Sequence, residues 1–294
     1  MTAEVLAALR EAGRVAAAAR EMGARLIVPG APLREVCEAV EDEIRRRGAG
    51  LAFPAQTSRN HVAAHYCPPP EDETVYAEGD LAKLDIGVQV DGWVVDTAAT
   101  VSLGDQGRLV DAARHALEAA IATAGPGVPI RRVSAAIEST LRAHGARPMK
   151  NLCGHHVGRW TVHSPPPIPN SPDGAEDRLA AGAVLAIEPF ATDGLGFVVE
   201  QGPPEVFRLP PEREAGASLD QDLLASIAAR RGLPFSRRDL KAFPRSRVEE
   251  TLAAMLAGGR LAAYAPLVEA SGRMVAQAEH TLYVGPEGVE VLTR

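Results

Sequence analysis

Two aspartates flank a tight turn in LAKLDIGVQVDGWVVDTAATVSLG, residues 81–104. Asp91-Gly92 is a strong signal for a type I′ hairpin turn, because both central residues of that turn need positive φ. A two-residue turn sets Val90 opposite Trp93, Val88 opposite Val95 and Gly87 opposite Asp96. Asp85 then lies diagonal to Asp96 on one face of the ribbon, at the roughly 7 Å typical of diagonal neighbours. Two carboxylates at that reach can share one or two hard or borderline cations, and Gly87 leaves room for them. The competing account is a pair of solvent-facing aspartates on an ordinary hairpin. It suits one Asp better than two, because Asp is depleted in strands and like charges on one face repel without a counter-ion.

Three further segments offer ligands. NLCGHHVGRWTVHSPPPIPN carries His155, His156 and His163. If residues 152–157 are extended, His155 and His156 point to opposite faces, so at most one of them joins the aspartates. Gly154 and Gly158 there suggest close backbone approach. GAVLAIEPF, residues 182–190, reads as a short buried strand ending in Glu188. A carboxylate at that point is costly unless paired or metal-bound. RMVAQAEHTLYVGPEGVEVLTR reads as a hairpin turning at GPEG, with Glu279 inside its first strand. Asp85, Asp96, His155, Glu188 and Glu279 together suit a pair of divalent ions such as Mn, Fe, Co or Zn. Such a pair makes water nucleophilic near neutral pH and stabilises a tetrahedral oxyanion. His61 and His65 are four apart, but the surrounding prolines argue against a helical pair, and a lone His is more often structural. TDGLGFVV lacks the third glycine and the preceding βα unit of a dinucleotide site.

The elements that must position these residues alternate. Residues 2–22 read as an amphipathic helix capped by Thr2, and residues 32–47 as a second helix ending before Gly48. Residues 111–124 and 130–144 read as another helix pair, broken at GPGVP. Helix, helix, strands is therefore followed by helix, helix, strands, which predicts two similar halves without a residue-level repeat. Residues 203–262 change character. Prolines cluster at 203–211, and helical patterns follow at 218–231, 236–242 and 246–258, giving a helical, winged-helix-like insertion.

The chain has 294 residues, is 46% hydrophobic and carries a formal charge of −7. That supports a sizeable core and argues against a nucleic-acid footprint. Cys37, Cys67 and Cys153 form no C-x-x-C pair, which fits a reducing cytosol. No apolar run reaches the length of a membrane span, and Arg10, Glu11 and Arg14 interrupt any signal-peptide core.

KLDIGVQVDGWVVDTA, NLCGHHVGRWTVH, AIEPFA and AQAEHT resemble, in order, the metal-ligand segments of the methionine aminopeptidases. AFPAQTSRNHVAAHY, LPFSRRDL and the helical insertion are similar to the type 2 branch of that family. The resemblance implies an α+β pita-bread fold: two pseudo-symmetric α/β halves around an antiparallel sheet. Residues 1–202 plus 263–294 would form the catalytic domain and residues 203–262 the insertion. It implies two divalent metal ions (Co, Mn, Fe or Zn) held by Asp85, Asp96, His155, Glu188 and Glu279. Asp85 would chelate one ion, Asp96 and Glu279 would bridge both, and His155 and Glu188 would complete the other. Glu188 would also pass a proton to the leaving amine. His65 and His163 match histidines that contact substrate and steady the tetrahedral intermediate, while His61 and His156 are not carried over. Phe53, Val162 and Tyr264 match positions lining the methionine side-chain pocket.

The implied activity is removal of the initiator Met from nascent chains whose second residue is small. It would take place in the cytoplasm, by a monomer, with the ribosome as a further partner. Two alternatives stand beside it: another pita-bread hydrolase, such as a prolidase or Xaa-Pro aminopeptidase, and a non-catalytic binding relative. Three positions depart from the family pattern. Ala278 replaces the usual Phe, Cys67 replaces a Thr beside His65, and Cys153 stands on the same strand face as His155. The chain starts almost at the catalytic domain, without the basic extension of eukaryotic type 2 enzymes, which points to a prokaryotic source.

Overall fold

A computed structural model describes residues 1–172, 176–210 and 220–294. The first half comprises helices α1 (Ala3–Leu26) and α2 (Leu33–Arg46) and strands β1 (Gly50–Arg59), β2 (Val62–Ala64), β3 (Leu81–Val90) and β4 (Trp93–Ser102). The second comprises α3 (Gly107–Thr123), α4 (Ile130–Ala143), β5 (Arg147–Pro148), β6 (Cys153–Gly158), β7 (Thr161–Pro169), β8 (Val184–Ile187), β9 (Phe190–Thr192) and β10 (Val198–Glu200). Then come β11 (Val206–Arg208), α5 (Gln221–Ala228), a 3₁₀ turn at Arg237–Leu240, α6 (Arg245–Ala257) and β12 (Ala262–Tyr264). The chain closes with β13 (Leu267–Glu269), β14 (Val275–Gln277), β15 (His280–Val284) and β16 (Val289–Val291).

Each half stacks a helix pair on antiparallel strands, which is the pita-bread arrangement. In the first, Leu9, Ala12, Val15, Ala16, Val36 and Val40 of α1 and α2 pack on Leu84, Ile86 and Val95 of the order β1-β3-β4. In the second, Leu109, Ala113, Ile137 and Leu141 of α3 and α4 pack on Leu185, Ile187 and Leu282 of the order β16-β15-β8-β6-β7. Small residues let α1 come close: a Cβ at Gly13 would lie 2.0 Å from the Leu292 carbonyl oxygen. Thr2 caps α1, its hydroxyl accepting from the Val5 amide. Phe207, Leu223, Phe235, Leu252 and Met255 form a separate apolar cluster within the 203–262 stretch.

Several expected boundaries move. The first helix runs on to Leu26, the third begins at Gly107, and the helical pattern at 236–242 forms a 3₁₀ turn over Arg237–Leu240. Of the expected helix 218–231, residues 221–228 are helical and 218–219 lie outside the described residues. Gly154 does make the close approach, since a Cβ there would sit 2.3 Å from the Ala186 oxygen; Gly158 does not, its nearest neighbour being at 3.9 Å.

The hairpin forms in the expected register, with Val90, Val88 and Gly87 facing Trp93, Val95 and Asp96. Asp91 and Gly92 have φ of 53° and 85°. Glu279, however, is not inside a strand. Pairing runs Gln277↔Phe190 on one side and His280↔Ile187 on the other, so residues 278–279 pass Glu188-Pro189 between two sheets. Pro189 has no N–H to continue the ladder. The Glu279 amide turns instead to the Ala98 carbonyl of β4, 3.1 Å away. That break brings Glu188 and Glu279 to the seam between the halves.

Candidate metal centre

The seam gathers all five predicted ligands. Asp85 and Asp96 project from β3 and β4, His155 from β6, Glu188 from the end of β8, and Glu279 from the break between β14 and β15. Ligand atoms of Asp96, His155 and Glu279 lie within 4.8 Å of one another. His155 Nε2 is 3.5 Å from Asp96 Oδ2 and 3.8 Å from Glu188 Oε1. Gln277 Nε2 closes the group, 3.2 Å from Asp85 Oδ2, 3.3 Å from Glu188 Oε2 and 3.4 Å from Glu279 Oε2. Backbone-directed hydroxyls hold the two central strands together. Thr281 Oγ1 donates to the Asp96 carbonyl at 2.7 Å, and Thr97 Oγ1 donates to the Glu279 carbonyl at 2.8 Å.

Four carboxyls in one buried place are electrostatically unfavourable. Burial pushes Asp85 up to about 6, and burial with the neighbouring carboxylates pushes Asp96, Glu188 and Glu279 well above the ordinary carboxyl range. Burial, helped by His163, pushes His155 well below the ordinary imidazole value, so it is neutral and free to ligate. Asp85 Oδ1, Asp96 Oδ1 and Glu279 Oε1 are buried and have no hydrogen-bond partner. Unpartnered buried carboxylate oxygens are costly, and a divalent cation would satisfy them. Hard oxygen donors with one imidazole fit Mn, Fe, Co or Zn. His156 faces the other way and its Nδ1 meets the Pro166 carbonyl at 2.8 Å.

A cavity of about 580 Å³ opens onto this centre, and Phe53, His65, Val162, His163 and Tyr264 all line it. The His155 and His163 ring centres stand 4.1 Å apart, edge to face, and the His65 and Tyr264 ring centres 6.0 Å apart in the same arrangement. His65 adopts φ 67°, a conformation uncommon outside glycine that re-aims its side chain. Burial lowers its pKa to about 4. Phe53 lies across Gly87: a Cβ there would be 2.3 Å from the ring. His61, by contrast, is exposed. Cys67 is buried and accepts from the Arg238 guanidinium at 3.2 Å, and Cys153 lines the cavity.

Gln277 and Gln56 are among the polar residues here that were not expected. Gln277 stands two residues before Glu279, a polar side chain within an apolar strand, and that spacing was the available signal. Gln56 carries no such signal, because its position depends on a bulge in β1.

Residues 7–226 match the family described as Metallopeptidase family M24. The chain is 40% identical over 289 residues to the methionine aminopeptidase of Methanothermobacter thermautotrophicus, covering 96% of this chain and 97% of that one. It is 43% identical over 290 residues to that of Thermococcus kodakarensis, covering 97% and 98%. Among solved structures, a methionine aminopeptidase from Thermotoga maritima aligns with a TM-score of 0.74 at 24% identity, over 100% of this chain and 98% of the other, a likeness of fold.

Proposed function

The chain belongs to metallopeptidase family M24, and we infer from its 40% and 43% identity to archaeal methionine aminopeptidases over nearly its whole length that it is one of them, a hydrolase that removes Met from polypeptide N-termini. The observation that carries the reading is the convergence of Asp85, Asp96, His155, Glu188 and Glu279 at the end of a cavity lined by Phe53, His65, Val162, His163 and Tyr264.

M24 membership implies use of a divalent metal; the finer assignment is ours. Asp85 would hold one ion, Asp96 and Glu279 both, and His155 with Glu188 the other. Two divalent ions bound there would supply a nucleophilic water near neutral pH and Lewis-acid polarisation of the scissile carbonyl. Glu188, which reaches both the metal centre and the cavity, carries a proton to the leaving amine. His65 is neutral at pH 7 and, with His163, offers N–H donors to the developing oxyanion. Phe53, Val162 and Tyr264 form the slot for the Met side chain, and Gly87 gives the Phe53 ring its place.

The substrate is the N-terminus of a nascent chain with a small second residue, met in the cytoplasm and near the ribosome by a monomer. The division into a catalytic domain, 1–202 plus 263–294, and an insertion, 203–262, belongs to the same proposal. It draws support from the insertion's own apolar cluster. The test is Met release from Met-Ala-Ser by protein supplied with Mn or Co. Release is expected; its absence with every divalent ion, or preferential cleavage of Xaa-Pro dipeptides, overturns the reading.

A further inference from the structure

Most arginines of the 203–262 stretch are matched to carboxylates. Arg230 meets Asp239, Arg237 meets Glu205 and Glu249, Arg238 meets Glu41, Arg245 meets Glu71, and Arg247 meets Asp220. Arg208 makes no ion pair among the described residues, and its Nε is buried without a hydrogen-bond partner. The residue as a whole is partly exposed, so the outer part of its side chain remains within reach of a ligand.

Strand β11 fixes where that side chain goes, because successive residues of a strand face opposite ways. Phe207 turns into the insertion, where its ring centre lies 5.9 Å from that of Phe235. Val206 and Arg208 turn the other way, and both line the cavity that opens onto the metal centre. Val206 pairs with Tyr264, itself a cavity residue, and Arg208 pairs with Ala262 two residues farther along. Among the described residues lining this cavity, Arg208 is the one arginine or lysine. Burial, together with the Arg208 charge, lowers the His163 pKa, which sets the guanidinium on the His163 side of the wall.

The next step rests on the substrate reading given above. Met fills the slot at Phe53, Val162 and Tyr264, and its carbonyl lies by His65 and His163. The rest of the substrate must leave the cavity past those groups. Its second residue is small, so the third is the first whose side chain can carry a charge to the wall. A guanidinium receives a carboxylate through two parallel N–H donations, a geometry that a neutral amide does not match.

We propose that Arg208 is a specificity-determining residue that pairs with an acidic side chain at the third position of the substrate. The enzyme therefore favours N-termini in which Asp or Glu follows the small second residue. The terminal carboxylate of a short peptide offers the same chemistry, so the test peptides end in amides.

The experiment measures kcat/KM of metal-loaded protein for Met-Ala-Asp-Ala-amide and its Asn and Lys counterparts at the third position. Wild type is expected to prefer Asp to Asn by about tenfold, the scale of a hydrogen-bonded ion pair that is partly open to water. Raising NaCl from about 0.05 M to about 0.5 M should shrink that preference, because salt screens an accessible pair. Arg208→Met should bring the Asp-to-Asn ratio to about one, and Arg208→Glu should turn the preference toward Lys. Each ratio is read within one protein, so differences in active fraction cancel. A wild type that cleaves the Asp and Asn peptides alike overturns this inference alone and requires no variant. A preference for Asp that survives Arg208→Met also overturns it. Failure to release Met from any of the peptides overturns the aminopeptidase reading and this inference with it.

Discussion

Residue 65 holds an imidazole whose pKa burial lowers from 6.5 to about 4, with His163 adding to the effect. Between those values the unfolded chain binds a proton that the folded chain does not. Stability from this group is complete above about pH 6.5 and is lost as the pH falls toward 4. His65→Gln should therefore flatten the rise of unfolding free energy with pH across that window, measured by urea unfolding of both proteins. The difference between the two curves isolates His65 from Asp85, whose raised pKa acts in the opposite sense over nearly the same range. Parallel curves would place the titration elsewhere. His65→Ala should also lower kcat by roughly 10²-fold if its N–H faces the oxyanion. The five ligand candidates were legible in the sequence because each is a polar side chain in a stretch that reads as a strand, where a partner justifies it, although Glu188 and Glu279 lie just outside the strands that form. Gln277 obeys the same rule and went unnoticed, since an amide carries no charge to draw attention.

At the scale of elements, legibility follows how local the cause is. The β3–β4 hairpin could be read with its register because Asp91-Gly92 contains the whole instruction. The break at Glu279 could not, because it depends on Pro189, which lies in a facing strand distant in sequence. The β1 bulge at Gln56 is likewise set by pairing with β3. The docking of the 203–262 stretch depends on a contact just as remote. Arg238, 4% exposed, pairs with Glu41 of α2, 3% exposed, at 2.6 Å and donates to the Ala55 carbonyl at 3.1 Å. Removing one partner of a buried pair leaves the other charge uncompensated. Arg238→Met is expected to cost about 3–5 kcal/mol in urea unfolding, and adding Glu41→Leu should recover part of that loss. A cost below about 1 kcal/mol would mean that water or a rearranged cation serves Glu41 instead.

For the whole molecule, the two halves meet where four carboxyls crowd together, so the fold concentrates repulsion at its own seam. Divalent ions relieve it. Stripping them with a chelator should lower the unfolding midpoint, and restoring them at about 100 times Kd should return about 2.7 kcal/mol for each ion bound. The metal-free protein, in turn, should lose the stability carried by Asp85 as the pH rises from 3.8 to about 6, because the folded state holds that proton more tightly than the unfolded one. A metal-loaded protein should show no such loss. The proposed function requires these five side chains to form one dinuclear site. Its most direct test is calorimetric titration of stripped protein with Mn or Co, alongside Asp96→Asn and Glu279→Gln. Two ions per chain in the wild type, with both sites weakened by either substitution, is the predicted result. A wild type that binds no ion, or bridging-residue variants that still bind two ions with unchanged affinity, would contradict it.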